Sequence, residues 1–298
     1  MAESLLEWLL EHSASTLVET AVGMLKTEKW RERANVLLVE LADLAGCDRA
    51  RVAVAVQLAE IVRAEDEKLN MEAAENKEEG GSGGAEVGAA IGAIRTLLVQ
   101  LGRGPGSDEA REAIGAALVC ITSRDEWLVE VEREDVKEVL VGMGLGAGSD
   151  GARARIAKAI GNIAVSKEGE RLLASGGVKE ALVQMGRGAG SDDVRAAVGG
   201  AIANITCCKK GRAEFASDDV VGVLVDLARR LGCDLARERV GWAFAGVAAS
   251  RVGRRVMARD DVRAVLVAVA ADCDSERILG LVAVAIRNVA RCDDGRRV

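Results

Sequence analysis

The residues able to do chemistry in this chain are few and do not gather into working sets. Its one histidine, His12, lies near the N-terminus, so a His-centred nucleophile triad cannot be assembled, and the carboxylates fall mostly where helix caps and surfaces are expected. Seven cysteines, Cys47, Cys120, Cys207, Cys208, Cys233, Cys273 and Cys292, show no paired metal-ligand spacing, and no zinc site is expected. Three near-identical strings, GRGPGSD from Gly102, GLGAGSD from Gly144 and GRGAGSD from Gly186, have the glycine content of phosphate-cradling turns. No strand-like run precedes them and no Lys-Ser/Thr follows, so they read as linkers. The series Arg111, Arg153, Arg195 and Arg237 invites a charged ligand. Each arginine, however, stands three residues after an aspartate at a helix start, Asp108, Asp150, Asp192 or Asp234, where i, i+3 pairing is the simpler use. The expectation is a protein that is not an enzyme and carries no cofactor or metal.

The elements that place these residues repeat. Ile114/Leu118/Ile121 recurs as Ile156/Ile160/Ile163, Val198/Ile202/Ile205, Val240/Phe244/Val247 and Val282/Ile286/Val289, each set 42 residues after the last. Such self-similarity marks a solenoid whose units bury their apolar faces against one another. Within one unit, Ser149-Asp150 offers an N-cap, and Ile156, Ile160 and Ile163 share a helical face. A short helix over about 167–174, a Gly176-Gly177 break and a further helix from Val178 to about Met185 complete three helices. Val139-Leu140-Val141 and Gly169 recur with the same period, the glycine at Gly211, Gly253 and Gly295. Leu37, Leu41 and Leu44 suggest an earlier unit, followed by an extended helix from about Arg49 to Glu67. The expected organisation is N-terminal helices and a first repeat over 1–68, an acidic Gly/Ser-rich flexible insertion over 69–92, and a regular array over 93–298 ending without a clear cap.

Bulk properties agree. Apolar residues make up 49% of the 298, aromatics 2%, and there is one proline, which suits uninterrupted helices packed through small aliphatic side chains. A net charge of −7 argues against a general nucleic-acid surface. No stretch reaches the roughly 20 apolar residues that cross a bilayer, and an odd number of thiols without a signal-like start points to a reducing compartment. A cytoplasmic protein is expected, with the nucleus as an alternative, and no membrane insertion.

The strings AIGNIAVSKEGERLLASGGVKEALVQMG, AIANITCCKKGRAEFA and AIRNVARCDDG resemble armadillo repeats: a short helix, a Gly break, a second helix, and a long helix finishing Leu/Ile-x-Asn-Ile/Leu-Ala. The resemblance implies an all-α fold, a right-handed superhelical solenoid of about six three-helix repeats. It also implies a concave groove, where an Asn near the end of each long helix bonds the backbone of a bound peptide and a Trp four residues earlier forms the wall. The Asn place is Asn162, Asn204 and Asn288, but Asp43, Cys120 and Gly246 elsewhere; the Trp place is matched by Trp242 alone. Seven residues before the Asn place, on the same helical face, stand Arg155 and Arg239. A groove lined by Arg155, Lys158, Asn162, Asn204, Arg239, Trp242 and Asn288 would be mildly basic. The expected function is a non-enzymatic scaffold holding an acidic or mixed protein or peptide. The alternative implied by the same family is a small-GTPase regulator of the guanine-nucleotide dissociation stimulator or exchange type.

Overall fold

A computed structural model of the chain describes residues 48–75, 83–104, 106–175, 177–292 and 295–296. Among these, the regular elements are fifteen α-helices, in two compact units divided along the chain after Val139. The first holds α1 (Asp48–Glu75), α2 (Gly83–Gly102), α3 (Asp108–Ile121), α4 (Asp125–Val131) and the start of α5 (Glu134–Gly146). The second holds three helices per period: long α6 (Asp150–Ile163), short α7 (Lys167–Leu173) and middle α8 (Val178–Arg187), then α9 (Asp192–Ile205), α10 (Lys209–Glu214) and α11 (Asp218–Ala228), then α12 (Asp234–Ala248), α13 (Arg251–Val256) and α14 (Asp260–Ala271), then long α15 (Glu276–Val289). None of the described helices is long and apolar enough to cross a membrane.

Local chemistry sets these boundaries. Ser149 and Ser191 take extended backbone and accept the amides of Ala152 and Val194, which starts α6 and α9. The short helices are capped in step: Ser166 Oγ accepts from Gly169 at 2.9 Å, Cys208 Sγ from Gly211 at 3.1 Å and Ser250 Oγ from Gly253 at 2.8 Å. Gly177 ends the short-helix turn with φ 70°, a left-handed value that glycine adopts freely. The periodic glycine has a steric cause. A Cβ at Gly169, Gly211 or Gly253 would fall 1.8–1.9 Å from the carbonyl oxygen of Ile163, Ile205 or Val247, so each short helix can leave its long helix only without a side chain there.

Packing follows the period. The long helix α9 lies between α6 and α12, and α12 packs on α15. Ile156, Ile160, Val198, Ile202, Val240 and Phe244 are at most 1% exposed, each such burial contributing about 1.5–3 kcal/mol. Gly161 lets α6 and α9 approach closely, since a Cβ there would sit 3.4 Å from Ala201 Cα. In α14 and α15, Val267 and Ile286 are 56% and 44% exposed, although Val225 and Phe244 one period earlier are 2% and 1% exposed.

The extended helix expected from about Arg49 to Glu67 is α1. It packs along α3, with Ala50, Val54 and Leu58 buried as Ala110, Ile114 and Leu118 are, a displacement of 60 and not 42. The expected earlier repeat on Leu37, Leu41 and Leu44 lies outside the described residues. Of the expected insertion 69–92, residues 69–75 continue α1 and 83–92 open α2, whose Leu97-Leu98-Val99 stands one period before Val139-Leu140-Val141; residues 76–82 lie outside the described ones.

One bonded device joins successive long-helix starts. Asp150 Oδ1 accepts Arg153 Nη1 at 3.2 Å and the Gly190 amide at 3.1 Å, forty residues on. Asp192 does the same with Arg195 at 2.8 Å and Gly232 at 3.1 Å. In the first unit Asp48 takes Arg51 at 3.0 Å and Gly106 at 3.1 Å. The arginines hold the turns from the other side, Arg153 on Gly188 O at 2.8 Å and Arg195 on Gly190 O at 3.0 Å. Asp108–Arg111 and Asp234–Arg237 form the same i, i+3 pair at 3.1 and 2.8 Å. The glycine-rich strings are thereby consumed by the architecture.

These bonds set the carboxylate chemistry. The Gly232 amide holds the Asp192 carboxyl below its ordinary value against partial burial, with help from Arg195. Burial alone would raise Asp150, but Gly190, the Ser191 hydroxyl and Arg153 outweigh it and lower it. A folded-state pKa below the unfolded one means stability that is fully present above about pH 4 and lost as pH falls through the lowered values. Stability from urea unfolding should therefore hold level from neutrality to about pH 4 and then fall. Asp192→Ala should cost about 1–3 kcal/mol at pH 7 and flatten the acid limb. In a second test, Gly211→Ala should cost about 2–3 kcal/mol, whereas Gly222→Ala, where a Cβ meets nothing within 4 Å, should be neutral or stabilise by up to about 1 kcal/mol. Equal midpoints for the two glycine variants would refute the steric account.

Candidate functional site

The long helices α6, α9, α12 and α15 present one equivalent face each, and the second unit carries every residue singled out there. On α6, Arg155 and Lys158 are exposed and Asn162 is half-buried. On α12, Arg239 is exposed and Trp242 is 45% exposed. Between them, the face of α9 offers Ala197, Gly200, Ala203 and Asn204, none of them exposed, with the exposed Asp193 one turn before Ala197 at its start. On α15, Leu281 and Asn288 are 6% and 9% exposed, so Asn288 is drawn into the packing and does not present itself as Arg155 or Trp242 do.

One of the amides has a structural use, bonding a carbonyl at a helix end between repeats. Asn204 donates Nδ2 to Gly161 O at 2.8 Å, tying α9 to α6 at the end of the latter. The equivalent carbonyl one period on, Ala203 O, is bonded instead by Thr206 Oγ1 at 2.9 Å. That hydroxyl occupies the place an Asn at 246 would need: a Cβ on Gly246 would fall 2.1 Å from it. Glycine at the Asn place of α12 is thus the counterpart of threonine at the end of α9.

The Trp place of α9 is filled from its neighbour. Gly200 carries no side chain, and the stem of Arg239 lies over it, its Cδ 3.5 Å from where a Cβ would stand. Arg239 therefore lays methylenes against α9 while its guanidinium stays in water, the usual division of a long cationic side chain. Arg155, Lys158 and Arg239 form no ion pair or side-chain hydrogen bond among the described residues, unlike Arg153, Arg195 and Arg237 on the same helices.

Other chemistry is poorly supported. Among the described residues no three His, Cys, Asp or Glu side chains gather to hold a metal. Cys120, Cys207, Cys208, Cys233, Cys273 and Cys292 are free thiols. Burial and the Glu170 carboxylate push the exposed Cys207 thiol up, against Arg212, so it is protonated at neutral pH and a weak nucleophile. A depression of about 360 Å³ lined by Leu145, Lys179, Gln184, Arg187 and Asp219 has its polar groups already engaged. Lys179 meets Glu214 at 3.2 Å, Arg187 meets Asp219 at 2.7 Å, and Gln184 Nε2 donates to Leu145 O at 2.6 Å.

No family model matches the sequence, and no curated protein is significantly similar to it. Solved structures are similar in fold. An engineered protein, 19% identical, aligns with a TM-score of 0.65 over 86% of this chain and 99% of its own. A designed armadillo repeat protein, 18% identical, aligns at 0.63 over 85% and 98%. Another designed armadillo repeat protein, in complex with the peptide (KR)4 and 18% identical, aligns at 0.57 over 91% and 98%. The long, short and middle helices of each period are those of armadillo repeats, and this chain has the armadillo repeat fold.

Proposed function

We propose that the chain is a non-enzymatic scaffold that holds a segment of another protein across the exposed face of α6, α9 and α12. The observation that carries this reading is a set of cations without an ion pair among the described residues, Arg155, Lys158 and Arg239, beside a 45% exposed Trp242. Between them lies a helix face of small residues over which a bound backbone can pass. Aromatic and arginine side chains dominate binding energies at protein interfaces, and a face built on packed helices is preorganised, so little ordering entropy opposes association. A similar designed armadillo protein holds a basic peptide, (KR)4. Here Arg155, Lys158 and Arg239 outnumber the exposed Asp193 carboxylate of α9, and an acidic or mixed segment is the complementary ligand. The free thiols among the described residues fit a reducing compartment, the cytoplasm or nucleus. The small-GTPase reading gains no residue from the structure and is not carried forward.

The reading is tested by panning a random 12-residue peptide library on the folded protein and measuring the selected peptides in solution. Acidic sequences are expected. Trp242→Ala should weaken them by about 2 kcal/mol, roughly thirtyfold, and Arg155→Glu/Lys158→Glu/Arg239→Glu should abolish binding with helicity unchanged. Selected peptides that bind both variants as well as the parent would move the site off this face.

A further inference from the structure

Positive charge gathers in a second place. The short helices α10 and α13 pack side by side and carry Lys209, Lys210 and Arg212 on one, Arg251, Arg254 and Arg255 on the other. The one acid on either helix, Glu214, is held by Lys179 of α8 at 3.2 Å. Lys209 and Arg251 stand one period apart, as do Arg212 and Arg254. The same places in α7 alternate in sign, Lys167, Glu168, Glu170 and Arg171, and Arg171 pairs with Glu168. The basic row is therefore a property of two adjacent repeats and not of the repeat design.

Some of these cations have structural work. Arg212 Nη1 donates to Thr206 O at 3.2 Å and Cys207 O at 2.6 Å, Arg254 Nη1 to Ala249 O at 3.3 Å, and Lys210 Nζ to Arg171 O at 3.3 Å. They satisfy carbonyls at the ends of α9, α12 and α7, where the helix dipole is negative. Lys209, Arg251 and Arg255 are exposed and make no ion pair or side-chain hydrogen bond among the described residues. Three unneutralised cations behind three carbonyl-bound ones, on a chain of net charge −7, repel one another until an anion arrives.

We propose that this edge of α10 and α13 is a second binding surface, separate from the face of the long helices, and that it takes an extended acidic segment of a partner protein. Adjacent helix axes lie about 8–10 Å apart, and an extended chain advances about 3.3–3.6 Å per residue. Carboxylates about three residues apart therefore match the step from Lys209 to Arg251. Neither helix carries an aromatic side chain on which nucleobases could stack. Val252 is the one strongly exposed large apolar side chain on the two helices, too little to anchor in a bilayer. An acidic peptide fits better than either alternative.

The test uses a fluorescein-labelled (Glu-Gly-Ser)4 peptide and fluorescence anisotropy at low ionic strength, where exposed charge pairs are least screened. Lys209→Glu/Arg251→Glu/Arg255→Glu should weaken binding at least about tenfold, and the corresponding triple alanine variant, gentler on the fold, should weaken it in the same direction. The same titrations in an Arg155→Glu/Lys158→Glu/Arg239→Glu background, which removes the long-helix face as a site for the acidic peptide, should still show binding, and that binding should be lost when the α10/α13 substitutions are added. Circular dichroism melts confirm that each variant is folded. Undiminished binding to the α10/α13 variants, or no binding left in the Arg155→Glu/Lys158→Glu/Arg239→Glu background, would overturn the proposal. So would a single-stranded oligodeoxynucleotide or phosphatidylserine vesicles binding more tightly than the peptide through the same three residues, which would give the edge a different partner.

Discussion

The hydrogen bond from a glycine amide to the aspartate that starts the preceding long helix is the constraint on which the rest of the second unit is arranged. The carboxylate does three things at once: it sits at the positive end of its own helix dipole, holds an arginine one turn on, and accepts an amide forty residues away. A bond to a charged acceptor is about twice as strong as a neutral one, and here it fixes where each long helix begins relative to its neighbour. Hydrophobic contact between Ile, Val and Ala faces supplies most of the attraction but is tolerant of sliding. The Asp–Gly bond removes that tolerance.

That division of labour also sorts the cations. Arg153, Arg195 and Arg237 are committed to the aspartates, and Arg212 and Arg254 to carbonyls that end helices. Arg155, Lys158 and Arg239 on the long helices and Lys209, Arg251 and Arg255 on the short ones have no such partner among the described residues, nor do Lys167 and Arg287; the six differ in being grouped on neighbouring helices of the second unit. The carbonyl row at the long-helix ends is satisfied by alternating means, an amide from Asn204 or a hydroxyl from Thr206, so a broken Asn pattern is not a broken structure.

The period, the three-helix unit and the Asp–Arg pairs were legible because they depend on spacings within one helix, where geometry is fixed by 3.6 residues per turn. The start of α6 read from Ser149-Asp150 and the short helix read over about 167–174 fall within a residue of those observed. Relations between helices were not legible. Spacing shows that Asp150 and Gly190 recur, but not that one bonds the other. Nothing in the string announces that Thr206 excludes a side chain at Gly246, or that Arg239 fills the wall at Gly200. The packing of α1 on α3 was not legible for a related reason: the Asp48/Arg51 pair that marks α1 stands 60 residues before Asp108/Arg111 and so escapes a search at 42. Burial of Asn288 likewise depends on what packs around α15, which no local pattern records.

The Asp48–Gly106 bond spans 58 residues where Asp150–Gly190 spans 40, and both measure 3.1 Å. Eighteen additional residues have thus been absorbed between the two bonded points without any change at the contact. The fold measures position by which atoms meet and not by how much chain runs between them: α1 runs to 28 residues where α3 has 14, and the bond at its start keeps the same length.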